Sequence, residues 1–179
     1  YAAAAGEFEQ AMKSSPDDMI LPFAYAQALF AAGQYTESAE ILRKALSRAS
    51  PEKEGVFYPR GLYASDDVLF AQIEDLVDKL DRFGYDADMQ LLLGYHLLGV
   101  GETGYAREPL EVAAQDLENA QSAKILLALL GKIENGAQAQ DHAADAAVET
   151  PSVPVDSKIE TKTDVTTEPN AVTTPAEPQ

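Results

Sequence analysis

Residues 19–52 read MILPFAYAQALFAAGQYTESAEILRKALSRASPE, and this stretch decides the fold. Gly33 lies near its centre, where a glycine in the left-handed conformation ends a helix at low cost. The positions after it that point to one helical face are Tyr35, Ser38, Leu42 and Ala45, and Pro51 follows them. The pattern therefore predicts two helices joined by a short turn.

The same pattern recurs elsewhere with a fixed period. An opening segment (Tyr1, Ala4, Phe8, Ala11, Pro16) and the segment around Gly33 and Tyr35 independently place the start of a unit at Met19. Adding 34 residues twice gives Lys53 and Ala87. A third segment (Leu93, Gly94, Gly101, Ala106, Leu110, Ala113) also places a start at Ala87. Three alignments in one phase indicate an internal repeat, because unrelated matches have no reason to keep register.

These spacings resemble the tetratricopeptide repeat, a 34-residue helix–turn–helix unit. The resemblance implies an all-α fold in which hairpins stack into a right-handed solenoid, each covering the apolar surface of the next. We expect a partial unit at residues 1–18, units at 19–52, 53–86 and 87–120, and a capping helix at about 121–135. Small residues are expected where paired helices cross, namely Ala26, Ser38, Gly94 and Ala106.

Two places depart from the pattern. The second half of unit 53–86 is a good helix, with Ser65 as a possible N-cap and Gly84 after its end. Its first half contains Pro59 between glycines and several aromatic residues, so we expect an ordered irregular segment that packs on the array in place of a helix. Pro109 lies inside a predicted helix, which either kinks there or begins later than the family pattern implies.

The composition separates the array from its C-terminal end. The chain has 179 residues, with 13 basic and 30 acidic side chains and a formal charge of −17. Residues 137–179 have no aromatic residue and no glycine, and they contain five prolines, eight acids and two lysines. Such a segment cannot bury enough apolar surface to offset the entropy of ordering, so we expect a disordered acidic Thr/Pro-rich tail.

Composition also limits the classes of partner and the location of the protein. The acidity disfavours nucleic acid and anionic membrane surfaces, and no apolar run is long enough to insert into a bilayer. The chain begins at Tyr1 within a predicted helix, so we expect a fragment of a longer protein. Its lack of cysteine and its tail fit an exported or envelope-associated bacterial protein, although cytosolic repeat proteins have similar compositions.

The chain contains no recognisable catalytic motif. Its two histidines are His96, on a predicted helix, and His142, in the predicted tail. We interpret His96 as a packing residue and acid pairs such as Asp66–Asp67 as solvated helix positions. No metal-ligand spacing, phosphate-binding glycine loop or nucleophile elbow is present. The sequence predicts no catalytic, cofactor-binding or metal-binding residue and a protein that is not an enzyme.

The resemblance implies a peptide-binding groove lined by the first helix of each unit. Mapped residue by residue, its positions are Phe23, Gln27, Phe30 and Ala31 in one unit and Leu91, Tyr95, Leu98 and Gly99 in the other. Family members that bind chaperone C-termini use Lys, Asn and Arg at groove positions, and those residues are absent here. The predicted groove therefore suits an apolar or amphipathic segment. In the alternative interpretation, Phe30 and Tyr95 are simply core residues.

These observations predict a non-enzymatic scaffold or adaptor that binds a peptide segment or helix of an unidentified protein partner. Two alternatives stay open at the level of sequence. The chain could be a structural or self-assembling segment of a larger envelope-associated repeat protein. It could also be an accessory module of an enzyme whose catalytic domain lies upstream.

Overall fold

The computed structural model describes residues 1–48 and 56–146, and in these residues all regular secondary structure is helical. The described residues form seven α-helices and one short 3-10 helix, Arg60–Leu62. The α-helices are α1 (Ala2–Ser14), α2 (Leu21–Ala31), α3 (Tyr35–Arg48), α4 (Asp66–Phe83), α5 (Ala87–Val100), α6 (Thr103–Ala113) and α7 (Ala120–Ala146). The all-α prediction is confirmed.

The two clear repeats form the predicted hairpins, α2 with α3 and α5 with α6. Gly33 and Gly101 end their first helices with φ angles of 75° and 90°, the left-handed region that only glycine enters at low cost. At the helix crossings, Ser38 Oγ donates a hydrogen bond of 2.7 Å to the Ala26 carbonyl. A Cβ atom added to Gly94 would overlap the Leu110 side chain, so a small residue is required there.

The two hairpins are direct neighbours although a whole unit separates them in the sequence. Helix α5 packs against α3, and α7 contacts both of them. A half-buried polar network ties these three regions together: Arg43 contacts Asp88 at 2.5 Å and donates to the Asn119 amide oxygen at 2.9 Å. Asn119 in turn donates to Asp88 at 3.0 Å, so each group in the network has a partner.

In the unit that intervenes, the described residues before α4 are irregular, as expected. Residues 56–59 have no regular structure, the 3-10 helix follows, and α4 begins at Asp66. Ser65 occupies the N-cap position in an extended conformation, but its side chain makes no capping hydrogen bond. Arg60 instead holds the start of α4 through two hydrogen bonds to the Asp66 carboxylate, of 2.8 and 2.7 Å.

Two features of the C-terminal part differ in detail from the expectations. Helix α6 begins at Thr103 and contains Pro109 in its interior, so a late helix start is wrong. The predicted capping helix corresponds to α7, but α7 continues to Ala146, past the predicted start of the tail at residue 137. Residues 137–146 are rich in alanine and lack proline, which favours continuation of the helix. The rest of the predicted tail, 147–179, lies outside the described residues.

Candidate peptide-binding groove

The structure brings together the aromatic residues predicted to line a groove. The rings of Phe23 on α2 and Tyr95 on α5 stack with centroids 6.4 Å apart, and those of Phe30 and His96 lie 3.8 Å apart. Six residues were predicted to bind peptide, and all are buried, with at most 9% of their surface exposed: Phe23, Gln27, Phe30, Leu91, Tyr95 and Leu98. Their packing agrees with the alternative in which they belong to the core, and their role in binding stays a prediction.

Part of this face is covered by residues 56–63 of the same chain, which we call the covering segment. Tyr95 donates a hydrogen bond of 2.7 Å from its hydroxyl to the Phe57 carbonyl. Gln27 donates from its side-chain amide to the Tyr63 hydroxyl at 2.8 Å. An irregular segment thus receives hydrogen bonds from α2 and α5, the two helices whose groove residues the sequence identified.

Tyr58 is the central anchor of the covering segment. Its hydroxyl lies 2.9 Å from His96 Nδ1, and its ring meets the Tyr95 ring edge-on at a centroid distance of 5.2 Å. The ring also lies directly against Gly99, where an added Cβ atom would overlap it. Gly99 was mapped to a groove position, and the absence of a side chain there lets the tyrosine reach the backbone of α5.

Burial fixes the protonation states of this cluster. Burial raises the pKa of the Tyr58, Tyr63 and Tyr95 hydroxyls, so all three stay protonated and able to donate. Burial lowers the pKa of His96 to about 3, so its imidazole is neutral near pH 7. The neutral imidazole accepts the Tyr58 hydrogen bond at Nδ1 when its proton is on Nε2, and donates it when the proton is on Nδ1. The cluster is therefore uncharged near pH 7.

Two apolar clefts remain on either side of the covering segment. The α5–α7 cleft has a volume of about 290 Å³ and is lined by Tyr58, Tyr95, Leu98, Gly99, Leu126 and Ile133, among others. The α1–α2 cleft has a volume of about 150 Å³ and is lined by Tyr1, Phe8, Gln27, Ala31, Leu62 and Tyr63, among others. Among the described side-chain atoms, Gln27 Oε1 is buried and has no hydrogen-bond partner.

The six predicted residues thus differ in their access to these clefts. Tyr95 and Leu98 line the α5–α7 cleft and Gln27 lines the α1–α2 cleft. Phe23, Phe30 and Leu91 line neither cleft. The sequence reasoning identified the residues under the covering segment but missed that Tyr58 and Tyr63 pack onto them. The signal was the run of aromatic residues around Pro59, which needs burial yet cannot form a regular helix.

Within the part of the chain that the structure describes, no group of three or more histidine and acidic side chains is placed to hold a metal ion. None of the helices described is both long enough and apolar enough to cross a membrane.

Comparison with known proteins gives one match. Residues 1–54 match the tetratricopeptide repeat family. Curated proteins and solved structures give no match. The matched region contains α1 and the α2–α3 hairpin, and the α5–α6 hairpin repeats the same geometry at the spacing that the sequence predicted. The described part of the chain is therefore all-α, and residues 1–54 are similar to tetratricopeptide repeats, a class of protein-interaction modules.

Proposed function

We propose that this protein is a non-enzymatic scaffold that binds an extended apolar segment of a partner protein on the face formed by α2, α5 and α7. One observation carries the proposal: this face already binds an irregular, aromatic segment of its own chain. Tyr95 recognises a backbone carbonyl of that segment, Gln27 a hydroxyl, and Gly99 a ring. These are the contacts by which a groove recognises an extended peptide.

The clefts beside the covering segment provide room for a partner. In the α5–α7 cleft, Ile133 is 41% exposed and Leu98 is nearby, so an apolar side chain could bury additional surface there. In the α1–α2 cleft, Phe8 and Leu62 offer apolar surface for a second side chain. In this proposal, Tyr95 and Gln27 contact the bound segment. Phe23, Phe30 and Leu91 lie underneath them and support them by packing.

A peptide with the sequence of residues 56–64, VFYPRGLYA, capped at both ends, provides a direct test. The tethered segment competes at an effective concentration on the order of millimolar, so the wild-type chain should bind this peptide weakly. Tyr58→Ala combined with Tyr63→Phe weakens the covering segment, and this variant should bind the peptide about tenfold more tightly or better. Isothermal titration calorimetry on the full chain measures both affinities.

The matched control peptide carries serine in place of both tyrosines, VFSPRGLSA, and should not bind. Circular dichroism establishes whether the double variant is folded, and Tyr63→Phe alone, which removes a single hydroxyl, provides a milder version. Absence of binding to the folded variants would contradict the proposal, because the face would then serve only to hold its own chain. Direct substitution of Phe30 or Tyr95 is less informative, since both are core residues.

A further inference from the structure

A second groove lies on another face of α5, with walls from α4 and α6. Its volume is about 400 Å³, and its lining includes Val77, Leu80, Leu93, Leu97, Tyr105 and Val112. On α5, Tyr95 and Leu98 line the cleft beside the covering segment, whereas Leu93 and Leu97 line this second groove. This α4–α6 groove is therefore separate from the surface of the proposed function.

The α4–α6 groove exposes large apolar side chains. Tyr105 is 73% exposed and Val77 is 38% exposed, while Leu93 and Leu97 form a half-buried floor. The walls come from helices of two successive units, so the floor is a strip of the array that neither α4 nor α6 covers. An amphipathic helix laid along such a strip would bury apolar side chains spaced by one helical turn.

Pro109, in the α6 wall, adds a polar feature to this groove. Because proline has no N–H group, residue 109 cannot donate the usual helical hydrogen bond to the Tyr105 carbonyl. Both residues line the groove. The α6 wall therefore contains a backbone carbonyl that lacks its regular helical donor.

The charged residues that line the groove are both acidic. Asp81 belongs to the α4 wall and Glu108 to the α6 wall, and both are exposed. The neighbouring arginines pair with other acids: Arg82 with Asp78, and Arg107 with Glu111 and Glu134. The rims of the groove thus keep their negative charge and favour a basic ligand.

We propose that the α4–α6 groove binds a basic amphipathic helix of a partner protein, whose apolar face covers Leu93 and Leu97 and whose Lys or Arg residues meet Asp81 and Glu108. Charge complementarity argues against two other occupants. Residues 147–179 of this chain contain six acids and two lysines, and a second copy carries a formal charge of −17. Both would bring negative charge to rims that are already negative.

A designed pair of peptides tests the proposal on the full chain in 150 mM NaCl. The first, LKKLLKKLLKKLLK, has the required apolar face and basic flanks, and the second replaces every lysine with glutamate. We expect the lysine peptide to bind and the glutamate peptide not to bind. Asp81→Lys with Glu108→Lys should weaken the lysine peptide about tenfold or more, because both rims are reversed. Tyr105→Ala should weaken it as well, because an apolar wall is lost.

Matched variants separate this groove from general attraction to an acidic protein. Glu7→Lys with Asp17→Lys makes the same change in net charge at exposed sites on and after α1, and should alter binding less than about twofold. Leu117→Ala removes a 95% exposed apolar side chain outside the groove and should have no effect. Tyr58→Ala, in the covering segment, should also leave binding unchanged, which separates this proposal from the first.

Four outcomes would overturn the proposal. The first is that the wild-type chain does not bind the lysine peptide, and the second is that both pairs of charge reversals weaken binding of that peptide equally. The third is that the protein is a dimer and Tyr105→Ala dissociates it. The fourth is that the lysine peptide binds only after residues 147–179 are removed. The last two outcomes would assign the groove to a second copy or to the chain's own end.

Discussion

At the scale of single residues, glycine controls how closely the covering segment approaches the array. Gly99 is the position where the Tyr58 ring lies against the α5 backbone, and an added Cβ atom has no space. We expect Gly99→Ala to lower the free energy of unfolding by about 1–3 kcal/mol, because the ring or the helix must shift. Urea denaturation followed by circular dichroism measures the change.

Two controls make the prediction for Gly99 specific. Gly131→Ala, in α7, adds a methyl group where nothing lies within 4 Å, so it should leave stability unchanged or raise it by up to about 1 kcal/mol. In a chain that already carries Tyr58→Ala, the penalty of Gly99→Ala should largely disappear. If the penalty persists in that background, the clash with Tyr58 is not its cause.

His96 predicts a second effect at the same scale, on the pH dependence of stability. Its pKa is lowered by burial to about 3 in the folded protein and is about 6.5 in an unfolded chain, so the unfolded state binds the proton first. The contribution of His96 to the free energy of unfolding is at its full value above pH 7. It falls as the pH drops below 6.5, because the unfolded chain then binds a proton that the folded protein does not. Between pH 7 and pH 4 the loss amounts to about 3 kcal/mol.

Comparison of unfolding curves for the wild type and His96→Gln at several pH values isolates this contribution. The wild type should lose stability more steeply on acidification than His96→Gln, because other acidic and basic groups titrate equally in both proteins. Tyr58→Phe removes the hydrogen bond but leaves the imidazole buried, so it should keep the steep slope. Identical slopes for the wild type and His96→Gln would show that the folded protein accommodates a protonated imidazole.

At the scale of helices and hairpins, most of the fold was predictable because it depends on short-range spacing. The glycines that end first helices and the small residues at crossings belong to a repeated pattern, and each is explained within its own hairpin. The predicted length of α7 was too short. The tail was defined by its composition, and residues 137–146 at its start form an alanine-rich stretch that extends the helix.

Contacts between units were much harder to predict. No local pattern indicates that α5 packs on α3, or that Arg43, Asp88 and Asn119 meet from three separate elements. The same limit applies to the candidate groove. Spacing alone identified Tyr95 and Gln27 as groove residues. Each of them donates a hydrogen bond to the covering segment, and that contact could not be predicted because the path of this segment departs from the repeat.

At the scale of the whole molecule, the irregular unit leaves α4 less well supported than its neighbours. Helix α5 packs against four helices, α3, α4, α6 and α7. In the described array, the close backbone contacts of α4 are mainly with α5. The buried face of α4, formed by Leu69, Ile73, Leu76 and Leu80, therefore has fewer closely packed helices around it than α5 has, and its link to α3 includes the hydrogen bonds of Tyr35 with Asp75 and Lys79. Local opening is easiest where an element has few packed neighbours.

We therefore expect α4 to open before α3 and α5. Hydrogen exchange followed by mass spectrometry should give a lower opening free energy for amides of α4 than for those of α5 and α3. Leu76→Ala removes a fully buried side chain at the centre of α4 and should increase exchange in α4 more than in α2. Exchange of α4 and α5 at one common rate would mean that the irregular unit unfolds with the array as a single cooperative block. The α4–α6 groove would then keep its shape for as long as the protein stays folded.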